Sequence, residues 1–322
     1  MKNRGMLLLV LLFLLLAAIL LSLGYGQSLT ALWRGFFQDE GFGIILRKIR
    51  LPRTIIACLV GGSLAVCGVA LQSILQNPLA EPYTLGISGG ASLGVTLCAL
   101  LGLQRVFGVY ANPFMGFAGA MCSVVIIYAL SRRKLFNPTS MVLFGIVVSL
   151  VFSSLVFFLF SIMDPDRMQI TLMWIMGDLS SLDISLVPVY IPLFLVPAAI
   201  MLLFGKELDI LSLGQEKALY LGVNPQRMYK VFFFLTSLLA GLAVSASGII
   251  GFVGLVVPHI LRRVAGASHL FLLLSAYLGG ALFLVASDIL ARYLLYPLEM
   301  PVGVVTGMLG GFVLLIIMIK RP

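Results

Sequence analysis

The chain has 322 residues, of which 61% are hydrophobic and 10% charged, and a formal net charge of +9. A soluble domain carries about 25% charged residues, so a soluble enzyme or soluble binding module is excluded and an all-α integral membrane protein is expected. The 21 basic residues lie mostly between apolar runs, where they report membrane orientation rather than a nucleic-acid footprint.

A hydrocarbon core of about 30 Å needs roughly 20 apolar helical residues. Charge-free runs occupy 6–24, 54–80, 82–104, 106–131, 135–163, 184–205, 231–261, 264–287 and 300–319. The first follows Lys2 and Arg4, is 19 residues long and has no A-x-A site after it. It reads as a retained helix rather than a signal peptide. Segment 25–50 is amphipathic and expected outside. Residues 164–183 form a second outside segment, with an apolar stretch at 168–177 expected along the membrane interface. Run 231–261 is too long for one helix. Ser245-Ala246-Ser247-Gly248 breaks it and Pro258 stops it, giving a full span at 231–248 and a short one at 250–261.

Ten helices result, with both termini inside. Cytoplasmic segments then hold 13 of the 21 basic residues. Leaving 231–261 whole would place Arg262, Arg263, Lys320 and Arg321 outside, so the positive-inside rule favours the division. The exception is the outer cluster Arg47, Lys48, Arg50 and Arg53, which calls for a functional reason.

Helices in lipid use small residues for close approach. Gly86, Gly89, Gly90 and Gly94 suit such packing, as do Gly303, Gly307 and Gly311. An offset of 180 residues pairs Gly61 with Gly241, Gly68 with Gly248, Leu75 with Leu255 and Pro78 with Pro258, the pattern of an inverted-topology repeat. Cys58, Cys67, Cys98 and Cys122 lie in apolar runs without CxxC spacing and read as buried packing residues. His259 and His269 are too few and too isolated to argue for a metal site.

No G-x-x-x-x-G-K-[ST] loop is present to bind ATP, and no H-E-x-x-H, G-x-S-x-G or Ser/Lys pair stands out. Glu81, Asp288 and Arg292 fall near span ends, too few for a proton- or sodium-coupled carrier. An ion-coupled secondary transporter and an intramembrane enzyme are thus disfavoured, and a passive conduit driven by another chain is expected. The inner segment 206–230 carries a short helix, Gln215 to Leu221, stopped by Gly222 with Pro225 beyond. Leu219 with Val223, and Ala218 with Leu221, give it one apolar face. Such a helix could dock into a groove on a cytosolic partner or belong to a solvated loop. The outer arginines could meet lipid headgroups or a docked acidic protein.

Arg50-Leu51-Pro52-Arg53, Gln72, Asn77-Pro78-Leu79-Ala80-Glu81-Pro82 and Leu85-Gly86-Ile87-Ser88-Gly89-Gly90-Ala91 resemble the FecCD permease family. So do Gly248-Ile249-Ile250-Gly251-Phe252-Val253-Gly254-Leu255-Val256-Val257-Pro258-His259, Asp288-Ile289-Leu290-Ala291-Arg292 and Pro301-Val302-Gly303-Val304-Val305-Thr306. The resemblance, from about residue 45 onward, implies one permease domain with a type II ABC importer fold and ten helices. It implies a homodimer, two ATP-binding cassette subunits that hold ATP and Mg, and a solute-binding protein. No cofactor or metal is expected in this chain, and its surroundings are membrane lipid in a prokaryotic cytoplasmic membrane. The implied cargo is a metal chelate, with ferric siderophore first and haem or cobalamin as alternatives.

Residue by residue, the family match puts Arg50, Arg53 and Arg292 at the binding-protein dock. It puts Glu216, Ala218, Leu219, Leu221 and Gly222 in the ATPase-coupling loop. Thr139 and Ser140 match an inner gate, with Pro138 stiffening its turn. Ser88, Ser92 and Met173 are expected to line the pathway.

Overall fold

The computed structural model describes residues 2–24, 41–133, 137–180, 183–266, 268–295 and 297–319. Most of the amphipathic outer segment (25–40), together with Lys134, Lys320 and Arg321, lies outside the described residues. Single-turn helices aside, the elements are α1 (Lys2–Gly24), α2 (Phe42–Ile74), α3 (Ile87–Leu100), α4 (Ala111–Arg132), α5 (Pro138–Ser161), α6 (Pro165–Ile175), α7 (Val187–Leu203), α8 (Gly205–Leu211), α9 (Gln215–Tyr220), α10 (Pro225–Ser247), α11 (Val253–Ala265), α12 (His269–Tyr293) and α13 (Val302–Ile319). Among the described residues the sole β feature is an isolated bridge between Leu295 and Leu298. Each apolar run holds a helix, and seven helices are long and apolar enough to cross a bilayer. α3 and α13 are shorter apolar helices and α11 is shorter still.

α2 and α12 form the axis of the fold and run antiparallel along their whole length. Arg53 near the start of α2 meets Asp288 near the end of α12. Midway, a methyl on Gly61 would run into the Gly280 carbonyl, and one on Gly280 into that of Gly61. Ser73 near the end of α2 meets His269, the first residue of α12. Arg53 and Ser73 are 20 residues apart on α2, about 30 Å at ~1.5 Å per residue. That distance matches the thickness of a hydrocarbon core. The polar ends of this helix pair are thus placed at the two membrane faces, with an apolar, glycine-packed middle between them.

The division of run 231–261 falls where the serine-glycine stretch puts it. α10 ends at Ser247, Gly248 has φ +66° and Phe252 has φ +69° before α11 begins. Gly248 fits because its neighbour is the Trp174 carbonyl, leaving no room for a Cβ. Pro258 does not stop the second piece as expected, since α11 continues to Ala265. A proline leaves the carbonyl four residues earlier without its helical donor. That carbonyl belongs to Gly254, and Gln72 Nε2 supplies the missing hydrogen bond at 3.2 Å.

Several packing expectations resolve differently. Gly90 and Gly94 of α3 do abut the backbone of α4 at Gly119 and Met115. Gly303 packs against the Met176 and Ile249 carbonyls, but Gly307 and Gly311 face open space. The 180-residue pairing is not structural equivalence, since Gly68 lies inside α2 whereas Gly248 follows the end of α10. What recurs is a long buried helix followed by a break and a short helix, at α2–α3 and at α10–α11. Cys58 is half-buried and Cys67 and Cys98 are buried, but Cys122 is exposed on α4. Stretch 168–177 is mostly helical and not fully exposed. It forms most of α6, whose Thr171 and Trp174 are buried.

Gly68 is the tightest helix contact, with the Gly254 carbonyl where a Cβ would stand. Gly68→Val is expected to destabilise by about 1–3 kcal/mol through overpacking. Thermal unfolding in detergent checks this, with Gly5→Ala, whose Cβ meets open space, as control.

Candidate functional site

One end of the α2–α12 pair carries a buried charge cluster. Arg53 Nε donates to Asp288 Oδ1 at 2.7 Å and Arg53 Nη1 to Glu299 Oε2 at 2.7 Å. Arg292 Nη2 lies 3.0 Å from Asp288 Oδ2 and donates to Ser22 Oγ at 2.7 Å, while Nη1 reaches the Ser22 carbonyl at 3.3 Å. The Asp288 side chain is 1% exposed and that of Arg53 7%. Arg50 Nη1 donates to the Leu23 carbonyl at 2.8 Å, and its guanidinium sits over Phe42. The three predicted docking arginines are therefore brought together, but Arg53 and Arg292 turn inward on one carboxylate. They tie α1, α2, α12 and the turn before α13 into one unit. Glu299, with a side chain 53% exposed, is the outward-facing member that spacing alone did not single out.

Local sequence explains how Arg50 and Arg53 are aimed. Pro52 cannot donate to the preceding helical turn. The turn before it widens into a five-residue π-helical turn, Leu46–Arg50, closed by the Leu51 N–H on the Leu46 carbonyl. Such turns inside α-helices are frequent at functional sites.

In the connection between α2 and α3 lies Glu81, placed by sequence near a span end. Its Oε2 accepts from the Phe252 N–H at 3.2 Å, and Tyr83 Oη accepts from the Ile250 N–H at 3.3 Å. These side chains satisfy backbone groups that the break between α10 and α11 would otherwise leave open. Glu81 thus acts as the cap of α11, where a carboxylate also suits the positive end of a helix. Glu81→Gln, which keeps an oxygen acceptor, is expected to preserve uptake and stability. Glu81→Leu is expected to lose about 0.5–2 kcal/mol, as a removed cap does. Thermal unfolding and uptake of both variants check this. Equal loss of uptake in both would mean instead that the negative charge itself is used.

The opposite end carries the connecting segment α8–α9. The predicted helix from Gln215 is present, and its stop is the backbone pattern expected of glycine. Gly222 has φ +81°, its N–H bonds the Leu219 carbonyl, and the Val223 N–H bonds the Ala218 carbonyl. The face differs from the expected one. Ala218 is 0% exposed and belongs to the core, so it cannot meet a partner. Leu219 at 60%, Tyr220 at 91% and Leu221 at 57% exposure form the outward patch instead. Glu216 is exposed beside it. Tyr220 was missed because apolar periodicity counts only the face shared with neighbours.

Of the gate and pathway candidates, Thr139 and Met173 line two separate cavities and the three serines line neither. Asn137 Oδ1 caps α5 by accepting from the Thr139 and Ser140 N–H groups at 3.0 and 3.3 Å, with Pro138 at the first helical position as is usual. Thr139 then lines a cavity of about 320 Å³ with Leu75, Asn77, Val142, Leu143 and Ile146. Ser140 is half-buried and does not line it. Met173 lines a cavity of about 500 Å³ near the arginine end, with Asn112, Asp166, Gln169, Trp174 and Asp178 among its walls. Ser88 is half-buried and Ser92 buried on α3, and neither lines these two cavities.

This architecture has counterparts among known proteins. The profile of the FecCD transport family matches residues 8–320. The chain belongs to the FecCD transport family. The hemin transport system permease protein HmuU of Yersinia pestis is 39% identical over 307 residues, covering 93% of this chain and 92% of that protein. The Fe(3+) dicitrate transport system permease protein FecD of Escherichia coli (strain K12) is 37% identical, covering 87% of each. A solved metal-chelate type ABC transporter in an inward-facing conformation superposes with a TM-score of 0.86 at 29% identity, covering 98% of this chain and 99% of its own. This FecCD protein is therefore a multi-pass ABC transporter permease with the type II importer fold, a membrane component and not an enzyme.

Proposed function

We propose that this FecCD permease is the translocation path of an ATP-driven importer for a ferric chelate, with a ferric siderophore as cargo. A soluble or lipid-anchored solute-binding protein delivers the chelate to the arginine end. Two ATPase subunits, which hold ATP and Mg²⁺, act on α8–α9 at the opposite end. The observation that carries the reading is the exposed Leu219–Tyr220–Leu221 patch outside the apolar spans. Large apolar side chains grouped in water mark a protein contact.

The positive-inside rule supports placing that end in the cytoplasm, because Arg132, Arg133, Lys206, Lys217, Arg227, Lys230, Arg262 and Arg263 cluster there. Both termini are then cytoplasmic and ten helices cross. We take the whole chain as one permease domain in a prokaryotic cytoplasmic membrane. Pairing as a homodimer is supported by α13, whose Gly307 and Gly311 face open space and suit close helix approach in lipid. Thr139 at the inner cavity serves as gate, and Met173, Ser88 and Ser92 as pathway residues. Rigid-body movement of the two permeases would switch access from one cavity to the other.

Haem is the second reading, favoured by the 39% identity to a hemin permease. Proteoliposomes containing the permease, its ATPase and the binding protein are expected to accumulate labelled ferric siderophore in an ATP-dependent manner. Uptake of haem instead selects the second reading. Uptake that persists without ATP and collapses with an ionophore would sink both.

A further inference from the structure

Four polar side chains link α8 to the transmembrane core, and the transport reading above gives none of them a part in coupling, using Arg262 only as one of the charges that orient the chain. Asp209 of α8 accepts at Oδ1 from the backbone N–H of His269 at 2.7 Å and faces its Nδ1 at 2.6 Å. His269 Nε2 lies 2.7 Å from Ser73 Oγ at the end of α2. Arg262 Nη2 of α11 donates to Ser73 Oγ at 3.2 Å and to the Val69 carbonyl at 3.3 Å. With a carboxylate on Nδ1, the imidazole proton belongs there and Nε2 is an acceptor. The order is then carboxylate, neutral imidazole, hydroxyl, guanidinium, running through α8, α12, α2 and α11.

Serine, histidine and aspartate in contact can also make a nucleophile, but here the hydroxyl is already occupied. Ser73 Oγ lies 2.8 Å from the Val69 carbonyl as well as contacting His269 and Arg262. Its single proton faces two acceptors, that carbonyl and His269 Nε2, and Arg262 donates to one of its lone pairs. Ser73 and His269 are 6% and 5% exposed. Asp209 in turn caps α12, since the Ser268 side chain makes no cap hydrogen bond. A carboxylate also suits the positive helix end. The cap of a long transmembrane helix is therefore supplied by the segment that follows α7, not by α12's own neighbours.

We propose that His269 is a positioning residue that couples displacement of α8–α9 to α2 and α12, so that ATP-driven motion reaches the axis of the permease. A side chain with hydrogen-bonding atoms at both ends is needed, because α8 and α2 touch opposite sides of the same ring. This inference rests on the reading that α8–α9 receives the ATPase.

The test uses the assembled transporter in proteoliposomes and reads chelate imported per ATP hydrolysed, with ATPase retention and thermal midpoint measured alongside. His269→Ala is expected to lower that ratio about tenfold while the ATPase stays bound and hydrolyses ATP. Ser73→Ala, which cuts the link at α2 without touching α8, is expected to lower it too. The double variant is expected to be no worse than His269→Ala, because both remove one chain of contacts. His269→Gln, which keeps polar atoms at the end of a longer side chain, is expected to recover part of the ratio. A ratio within twofold of wild type in His269→Ala overturns the inference. So does a loss of transport matched by equal losses of bound ATPase and thermal midpoint, or effects of the two alanines that simply add. Leu219→Glu run beside these separates the underlying reading. If it leaves ATPase binding and coupling intact, the docking reading fails and the inference with it. If it disrupts them while His269→Ala does not, the inference alone fails.

Discussion

Replacing Asp288 by alanine is expected to cost the fold about 3–5 kcal/mol, the range found when one partner of a buried ion pair is removed. Asp288 is the shared carboxylate of Arg53 and Arg292, and it is 1% exposed. Without it, Arg53 keeps Glu299 and Arg292 keeps Ser22, but both guanidinium groups lose the buried carboxylate they share. The measurement is thermal unfolding and yield in detergent. Arg53→Met with Asp288→Leu should sit closer to wild type than Asp288→Leu alone, because one of the two guanidinium groups is removed with the carboxylate they share. Stability of Asp288→Ala within about 1 kcal/mol of wild type would show that water or lipid headgroups already screen the cluster.

The same geometry decides how docking must be probed. Reversing Arg53 would put a third carboxylate beside Asp288 and Glu299, so lost uptake would report a damaged fold. Arg50→Glu and Lys48→Glu are the cleaner probes. Lys48 is exposed and Arg50 half-buried on the widened turn. Each is expected to slow association of the binding protein and to flatten its dependence on salt more than it changes affinity. Association rates at two salt concentrations check this.

Much of this was legible in the sequence because lipid imposes simple rules. Apolar length gives the spans, and Ser245 to Gly248 gives the break between α10 and α11. What stayed hidden depended on long-range pairing. Asp288 and Arg292 are recognisable as a helical i,i+4 pair, but Arg53 is 235 residues away from Asp288. No periodicity links them. Gln72 reads as an isolated amide until Pro258 frees the Gly254 carbonyl beside it. His269 reads as a lone histidine because its partners, Ser73 and Asp209, lie on α2 and α8. Ala218 was misplaced for the complementary reason. A six-residue helix has two sides with small or apolar residues, and only its packing tells which side is buried.

Leu219→Glu combined with Tyr220→Ser is expected to uncouple the transporter almost completely. Three side chains, Leu219, Tyr220 and Leu221, are 57–91% exposed on a helix that ends in a glycine stop. Exposed apolar residues of this size gain nothing in water, and aromatic anchors commonly dominate binding at such contacts. Removing a central anchor typically costs about 2 kcal/mol or more of association free energy, roughly a 30-fold loss of affinity at ~1.4 kcal/mol per tenfold. Neither side chain supports the fold, because Ala218 on the other side of the helix makes the core contact. The variant should therefore keep its thermal midpoint and its binding-protein association while losing bound ATPase in co-purification. Exchange of Ala218 for leucine should do the reverse, lowering the midpoint by forcing the short helix off the core. A permease that retained its ATPase with Leu219 and Tyr220 both changed would move the coupling contact elsewhere on the 206–230 segment, and the exposed patch would then require another partner.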